Sequence, residues 1–274
     1  MAEVRSFRAA ARAHIDLLVY QDAIAGASGA AAILASRPKA GYVLITVLPE
    51  CRRRGLGTAL YHRVSRWLAD HDVHEIDAPI PEDDPASLRF AERRGFVEVE
   101  CNSGLVLELQ GVDPPPIDPP TGVEIATWAE RPELAPQLYE VACESFPDVP
   151  GDEDRMMESY DDWMRIHMQG SGDRPEATFV ALAGDEVIGY AKFSLTAAQP
   201  EVAHHDMTGV KRAWRGRGVA GALKRAEIAW AKGEGFTHLR THNEVRNEPI
   251  RRLNERLGYR PEPGRILMRG PVAR

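Results

Sequence analysis

The chain has 274 residues, of which 43% are hydrophobic and 27% charged, enough for one large core or two ordinary ones, and two domains are expected. A formal net charge of -7 and a pI near 5.8 exclude a general nucleic-acid binder, whose phosphate contacts need a basic field. Cys51, Cys101 and Cys143 have no metal-ligand spacing, and no apolar run reaches the roughly 18 residues of a membrane span. A cytoplasmic protein with reduced thiols is expected, with no metal, nucleic-acid or membrane partner, as a monomer or homodimer.

In chain order, the pattern LLVYQDAIAGASG at 17–29 reads as a hairpin, and Val43–Val47 as a strand. A basic, glycine-bearing loop leads into a helix over Leu56–Ala69, then a strand at Glu75–Asp77 and a helix over Pro85–Arg93. Strands at Val97–Cys101 and Leu105–Leu109 close this half. Residues 111–121 begin Gly-Val-Asp-Pro-Pro-Pro-Ile-Asp-Pro-Pro, which continues neither a helix nor a central strand, because proline lacks the N–H and fixes φ. It is expected to be a stiff linker between domains 1–110 and 122–274.

The second half opens on a strand, Gly122–Thr127, and a helix over Pro132–Ser145 with Leu134, Leu138, Val141 and Ala142 at helical spacing. A loop and a helix near Ser159–His167 follow, where Ser159 and Asp162 form a capping box. Next come a hairpin, Ala177–Leu182 with Val187–Ser194, and a strand, Ala203–Val210. A second basic loop then runs into a long helix, a strand at Thr237–Thr241, a helix over Glu248–Leu257 and a last hairpin ending at Leu267–Met268.

The halves repeat. VLPECRRRGLGTAL at 47–60 matches VKRAWRGRGVAGAL at 210–223, an offset of 163 (210 minus 47) that also puts Arg94-Gly95-Phe96 on Leu257-Gly258-Tyr259 and Gly26 on Gly189. Subtracting it leaves residues 122–163 without a counterpart, so the first copy is truncated. Strands interleaved with helices predict a mixed α/β sheet flanked by helices in each copy.

Both loops have the chemistry of a phosphate cradle. A helix N-terminus carries unpaired N–H groups and the positive end of the macrodipole, and small residues let an anion approach. In the second copy the stretch is Val210, Arg215, Gly216, Arg217, Gly218, Val219 and Ala220; in the first it is Arg52, Arg53, Arg54, Gly55, Leu56 and Gly57.

The order of strand-end Val, Arg-x-x-Gly-x-Gly/Ala loop, helix and closing Gly-Phe/Tyr, found twice, resembles the GNAT superfamily of acyl-CoA N-acyltransferases. The pairing of copies is similar to mycothiol synthases and other tandem acetyltransferases, although nothing here specifies the mycothiol ligand. The resemblance implies an acetyl-CoA co-substrate with its pyrophosphate on the loop and its pantetheine between the strands ending at Val210 and near Thr241. Thr208, Asn243, Asn247 and Asn254 then fall at cofactor-binding positions. Family members often carry an acidic base on the strand before the loop; here His204 stands six residues before Val210. Strict alternation places His204, Asp206 and Thr208 on one face and His205 and Met207 on the other. An imidazole with its ordinary pKa of about 6.5 takes a proton at neutral pH, and the alternative is a histidine that caps the strand. The tyrosine acid that many members carry four residues before the closing glycine is replaced by Asn254, and by Ala91 in the first copy. Either Tyr160 serves as the acid or the thiolate leaves unassisted.

The segment missing from the first copy borders the acceptor pocket in this family. Asp148, Asp152, Asp161 and Asp162 attract a cationic amine there or cap and solvate the helix, and Trp163 lines the pocket or packs in the core. The reading is an N-acetyltransferase acting on a primary amine of a small cationic acceptor, with the second copy catalytic and the first mainly structural. The alternatives are a non-catalytic acyl-CoA sensor and a protein or peptide N-acetyltransferase.

Overall fold

A computed structural model describes residues 4–8, 16–21, 27–34, 39–111, 113–150, 157–170, 172–197 and 199–273. The elements are β1 (Val4–Arg8), β2 (Asp16–Gln21), β3 (Ala27–Leu34), β4 (Ala40–Thr46), α1 (Leu56–Asp70), β5 (Glu75–Pro81), α2 (Pro85–Glu92) and β6 (Val97–Glu108). There follow β7 (Glu124–Thr127), α3 (Ala135–Ser145), α4 (Tyr160–Trp163), β8 (Thr178–Ala183), β9 (Glu186–Leu195), β10 (Val202–Val210), α5 (Val219–Gly233), β11 (His238–Glu244), α6 (Glu248–Arg256) and β12 (Arg260–Pro271). The chain divides into two compact units, Met1–Cys101 with Arg265–Arg274, and Asn102–Gly264.

The repeat holds residue for residue over much of its length. Shifting α1, β5 and β6 by 163 gives the bounds of α5, β11 and β12, and the short 3-10 turn Pro49–Cys51 falls on Arg212–Trp214. Each unit has the same sheet. In the first, β1, β2, β3 and β4 pair antiparallel in sequence, β4 pairs parallel with β5, and β5 pairs antiparallel with Arg265–Pro271 of β12. In the second, β7, β8, β9 and β10 pair antiparallel, β10 pairs parallel with β11, and β11 pairs antiparallel with Asn102–Glu108 of β6.

Each sheet is thus completed by a strand from the other half of the sequence, which the local turn signals do not reveal. The hairpins expected at Val97–Leu109 and at the C-terminus are single extended strands, and the division falls at Cys101, with the proline-rich residues 111–121 inside the second unit. The interior is tight where β6 and β12 residues of the second unit meet: a Cβ on Gly264 would lie 1.9 Å from the Asn102 carbonyl oxygen. The truncation of the first copy removes helices rather than the strand. Residues 9–15 separate β1 from β2, whereas residues 128–177 separate β7 from β8 and carry α3 and α4.

Amphipathic spacing explains the packing. On α1, Leu60, Val64 and Leu68 form a buried stripe against Val43, Ile76, Phe96 and Met268. In the second unit Leu223 and Ala226 of α5 cover one sheet face with Phe193, Ala203 and Leu239, while Leu138, Val141 and Trp163 cover the other with Val180, Leu182 and Tyr190. Each such side chain contributes roughly 1.5–3 kcal/mol by leaving water.

Candidate active site and donor loops

Both loops are built alike. Arg215 donates from Nε to the Val210 carbonyl at 2.9 Å, and Arg52 donates to Val47 at 3.0 Å. The chain then turns through left-handed residues, Gly216 (φ 72°) and Gly218 (φ 91°) in one loop, Arg53 (φ 62°) and Gly55 (φ 85°) in the other. Gly218 and Gly55 are the N-caps of α5 and α1 and offer no side chain to the first-turn N–H groups. Those donors are left for an anion, so the residues present fit a diphosphate. Val219 is buried and Ala220 half-buried in the first turn, as the small residues of the motif require, while Arg217 is exposed and stacks on Trp214 at 5.0 Å. Leu56 and Gly57 start α1, and a Cβ on Gly57 would meet the Phe90 ring at 3.4 Å.

Above each loop the two parallel strands diverge. β10 pairs with β11 only over Val202–His204, and β4 with β5 only over Ala40–Tyr42, leaving the later halves of both strands apart. In the first unit this divergence opens a cavity of about 580 Å³ that Arg52, Arg53, Arg93 and Arg94 line together with Tyr61 and Phe96. Arg94 lies 3.5 Å above the Phe90 ring, donates to Thr58 at 2.7 Å, and has its pKa lowered by burial. Arg54 is exposed at the loop.

In the second unit β10 carries a bulge. His205 pairs with Phe193 and Met207 with Lys192, so Asp206 is the extra residue. Strict alternation therefore fails there. His205 packs toward α5, on Phe193 at 4.6 Å, while Met207 joins Trp163 and Tyr190 on the α3 and α4 side. Asp206 meets Lys192 at 2.8 Å, and Lys192, nearly inaccessible, also holds Asp173 at 2.5 Å and the His167 carbonyl. The Asp206 side chain remains 43% exposed. His204 contacts Gln199 at 3.0 Å through Nε2. Thr208 is half-buried, and Val210 closes the strand inside the core. Asn254, fully buried, donates to Asn243 at 2.7 Å, linking α6 to β11, and Asn247 is the N-cap residue of α6.

The acceptor candidates part company. Asp148 lies on the donor loop: it accepts from Arg212 twice at 2.8 Å and from Arg215 at 2.6 Å, and these guanidinium hydrogen bonds hold its pKa down at about 2. Ser159 caps α4, its hydroxyl accepting from the Asp162 N–H and donating to the Asp162 carboxylate, which also pairs with Arg165. Trp163 does not line a pocket, being fully buried beside Tyr139 and Tyr190, because α4 turns that face into the core. Tyr160 is half-buried and packs edge-on against Tyr139 at 5.6 Å. Asp161 is exposed, and Asp152 lies outside the described residues.

The profile of the acetyltransferase (GNAT) family matches residues 2–96 and 135–259, both halves of the repeat. The chain belongs to that family. It is an acyl-CoA-dependent N-acyltransferase with a tandem arrangement. The chain is similar in fold to a GCN5-related N-acetyltransferase from Sphaerobacter thermophilus, at 23% identity and TM-score 0.71, covering 94% of this chain and 81% of that one. It is also similar to a tandem GNAT protein from the clavulanic acid biosynthesis pathway, at 22% identity and TM-score 0.73 over 95% and 83% of the two chains. A third, from Kribbella flavida, gives 16% identity and TM-score 0.61 over 90% and 88%. No curated protein matches. Among the described residues no helix of the chain is long and apolar enough to cross a membrane.

Three features of the site escaped sequence reasoning. Lys192 and Arg212 are isolated bases whose partners lie 14 to 64 positions away (206 minus 192; 212 minus 148), and the bulge leaves no compositional trace. The deeply buried pair Glu227 and Lys224, by contrast, carries a signal: both sit on the apolar face of a long helix.

Proposed function

We propose that the protein transfers an acetyl group from acetyl-CoA to a primary amine of a small cationic acceptor, and that the second unit does the chemistry. The observation that carries this reading is the exposed Asp206 carboxylate at a bulge of β10, on the sheet face covered by α3 and α4 and next to the diverging strands. The amine nitrogen attacks the thioester carbonyl, the C–N bond forms, the C–S bond breaks, and the sulfur leaves as thiol or thiolate. Asp206 orients the amine and accepts its proton, with His204 the second candidate and Tyr160 the candidate donor to sulfur. The loop residues Arg215 to Ala220, with Thr208, Asn243, Asn247 and Asn254 near the diverging strands, hold the donor. The acceptor's positive charge is met by Asp161 and by Asp206, which shares Lys192 with Asp173 and keeps its side chain 43% exposed, whereas Asp148 and Asp162 each have an arginine of their own.

A second reading concerns the first unit. Its arginine-lined cavity favours binding of an acyl-CoA without turnover, because Asp206 is the residue inserted at the β10 bulge and β4, which pairs with β3 without a register shift, has no counterpart of it. The test is thiol release from acetyl-CoA across polyamines, aminoglycosides and peptides, with mass analysis of the products. Release with an amine, lost in Asp206→Asn by about 10²-fold or more, supports the reading. Donor binding with no release across the whole panel refutes it and leaves a binding protein.

A further inference from the structure

Beneath the bulge lies a group of ionisable side chains that the chemistry above does not use. Glu227 and Lys224 of α5 are 0% and 1% exposed, and Tyr259 is 4% exposed. His205 Nδ1 approaches Glu227 Oε2 at 3.0 Å, His205 Nε2 meets the Tyr259 hydroxyl, and Lys224 Nζ lies 5.8 Å from the Tyr259 ring centre. Burial lowers the pKa of His205 and Lys224 and raises that of Tyr259 well above its ordinary value. Neither Glu227 oxygen nor His205 Nδ1 meets hydrogen-bond geometry among the described residues, so their 3.0 Å approach is a close polar contact and the carboxylate is held without a hydrogen bond. Such a group is expensive to bury, and well-packed apolar residues in its place are commonly neutral or better for stability.

The first unit shows that alternative. Before the bulge the strands align 162 residues apart (203 minus 41), Ala203 facing Leu239 as Gly41 faces Ile76, so His205 falls on Val43; subtracting 163 from 224, 227 and 259 gives Tyr61, Val64 and Phe96, and none of the four is a carboxylate, lysine or histidine. There β4 pairs with β3 from Gly41 to Thr46 without a register shift, whereas β10 is bulged against β9. The buried cluster, the bulge and the acid at the bulge occur together in one copy and are absent together from the other.

We propose that His205, Glu227, Lys224 and Tyr259 are positioning residues that pin the β10 bulge to α5 and so aim Asp206 at the acceptor. His205 is the residue immediately before the bulge, and its imidazole lies against the Glu227 carboxylate of α5 with Nδ1 and hydrogen-bonds the Tyr259 hydroxyl with Nε2. A strand so held does not relax to regular pairing, which would re-register Asp206 against Lys192 and turn its side chain. The proposal rests on Asp206 being the reacting carboxylate, and the experiment separates the two.

Glu227→Gln, Asp206→Asn and the double variant are made in the full chain. Hydrogen exchange is followed over residues 202–210 and 40–46, acetyl-CoA affinity by calorimetry, and kcat with whichever panel amine releases most thiol. In Glu227→Gln, exchange over 202–210 is expected to quicken at least tenfold with 40–46 unchanged. kcat should fall at least tenfold while acetyl-CoA affinity stays within twofold, and in the Asp206→Asn background the same change should cost less than a further twofold. Unchanged exchange over 202–210, or kcat losses that multiply independently, overturns the proposal. Wild-type kcat in Asp206→Asn overturns the reading of Asp206 instead, and if no amine is acetylated the exchange result alone decides the cluster. Should Glu227→Gln not fold, His205→Gln carries the same readings.

Discussion

Asp148→Asn is expected to tighten donor binding at the second loop. In the folded protein the Asp148 carboxylate lies across Arg212 and Arg215, accepting three hydrogen bonds of 2.6–2.8 Å from guanidinium groups that a diphosphate would otherwise engage. The three side chains are 31%, 58% and 40% exposed, so water screens the pairs and each is worth about 0.2–1 kcal/mol. Two pairs then hold the loop by roughly 1 kcal/mol, or about a fivefold to tenfold penalty on a competing anion. Asparagine keeps an acceptor oxygen and removes the charge. Calorimetric titration of CoA into an Arg52→Ala background, which weakens the first loop, should show that gain at the second. The same substitution should cost about 1 kcal/mol or less of folding stability at pH 7. The Asp148 pKa is depressed, so its contribution is present above the unfolded value and is lost as pH falls through about 2. The stability gap between wild type and variant should therefore close between about pH 4 and pH 2. Weaker or unchanged CoA binding in Asp148→Asn would refute the competition.

Arg215→Ala is expected to abolish amine-dependent thiol release, whereas Arg52→Ala should leave kcat within about twofold and remove only the first unit's share of CoA binding; equal losses of turnover would remove the division of labour. Arg53→Gly should stabilise the first unit by about 1 kcal/mol, since Arg53 adopts φ 62° where the second loop has Gly216, and thermal melts would show it; an unchanged or lower melting point counts against strain there. Gly264→Ala should cost at least about 2 kcal/mol, because the backbone oxygen of Asn102 lies 1.9 Å from the new Cβ and neither chain has a flexible end to give way. A denaturation midpoint equal to wild type would show that β6 and β12 separate there at no cost.

What the sequence exposed was whatever repeats at a fixed offset or follows a local period. The loops, α1 and α5, α2 and α6, and the parallel strands all belong to that class, since a glycine before a helix and a stripe every three or four residues are local rules. The exchange of closing strands is not local. Asn102-Ser103-Gly104 and Pro263-Gly264 read as hairpin turns, yet β6 and β12 run straight through them, because pairing with a distant strand outweighs a turn preference. The same limit applies to the site. One inserted residue inverts the alternation at Met207, and of the two places open to Trp163, pocket or core, α4 turns it into the core. Asp148 was read as an acceptor ligand, and only the fold brings it to arginines more than sixty positions away.

The asymmetry of the two copies traces to a single stretch. Residues 128–177 supply α3 and α4, which cover one face of the second sheet, and they also deliver Asp148 to the second loop. In the first copy only residues 9–15 separate the corresponding strands, β1 and β2. β4 runs without a bulge, so the first copy has no counterpart of Asp206, the residue on which the proposed deprotonation of the amine rests. On the proposed function, the insertion that walls the acceptor side of the second unit also tunes its donor loop through Asp148, so the Asp148→Asn titration tests whether the two recognitions are coupled.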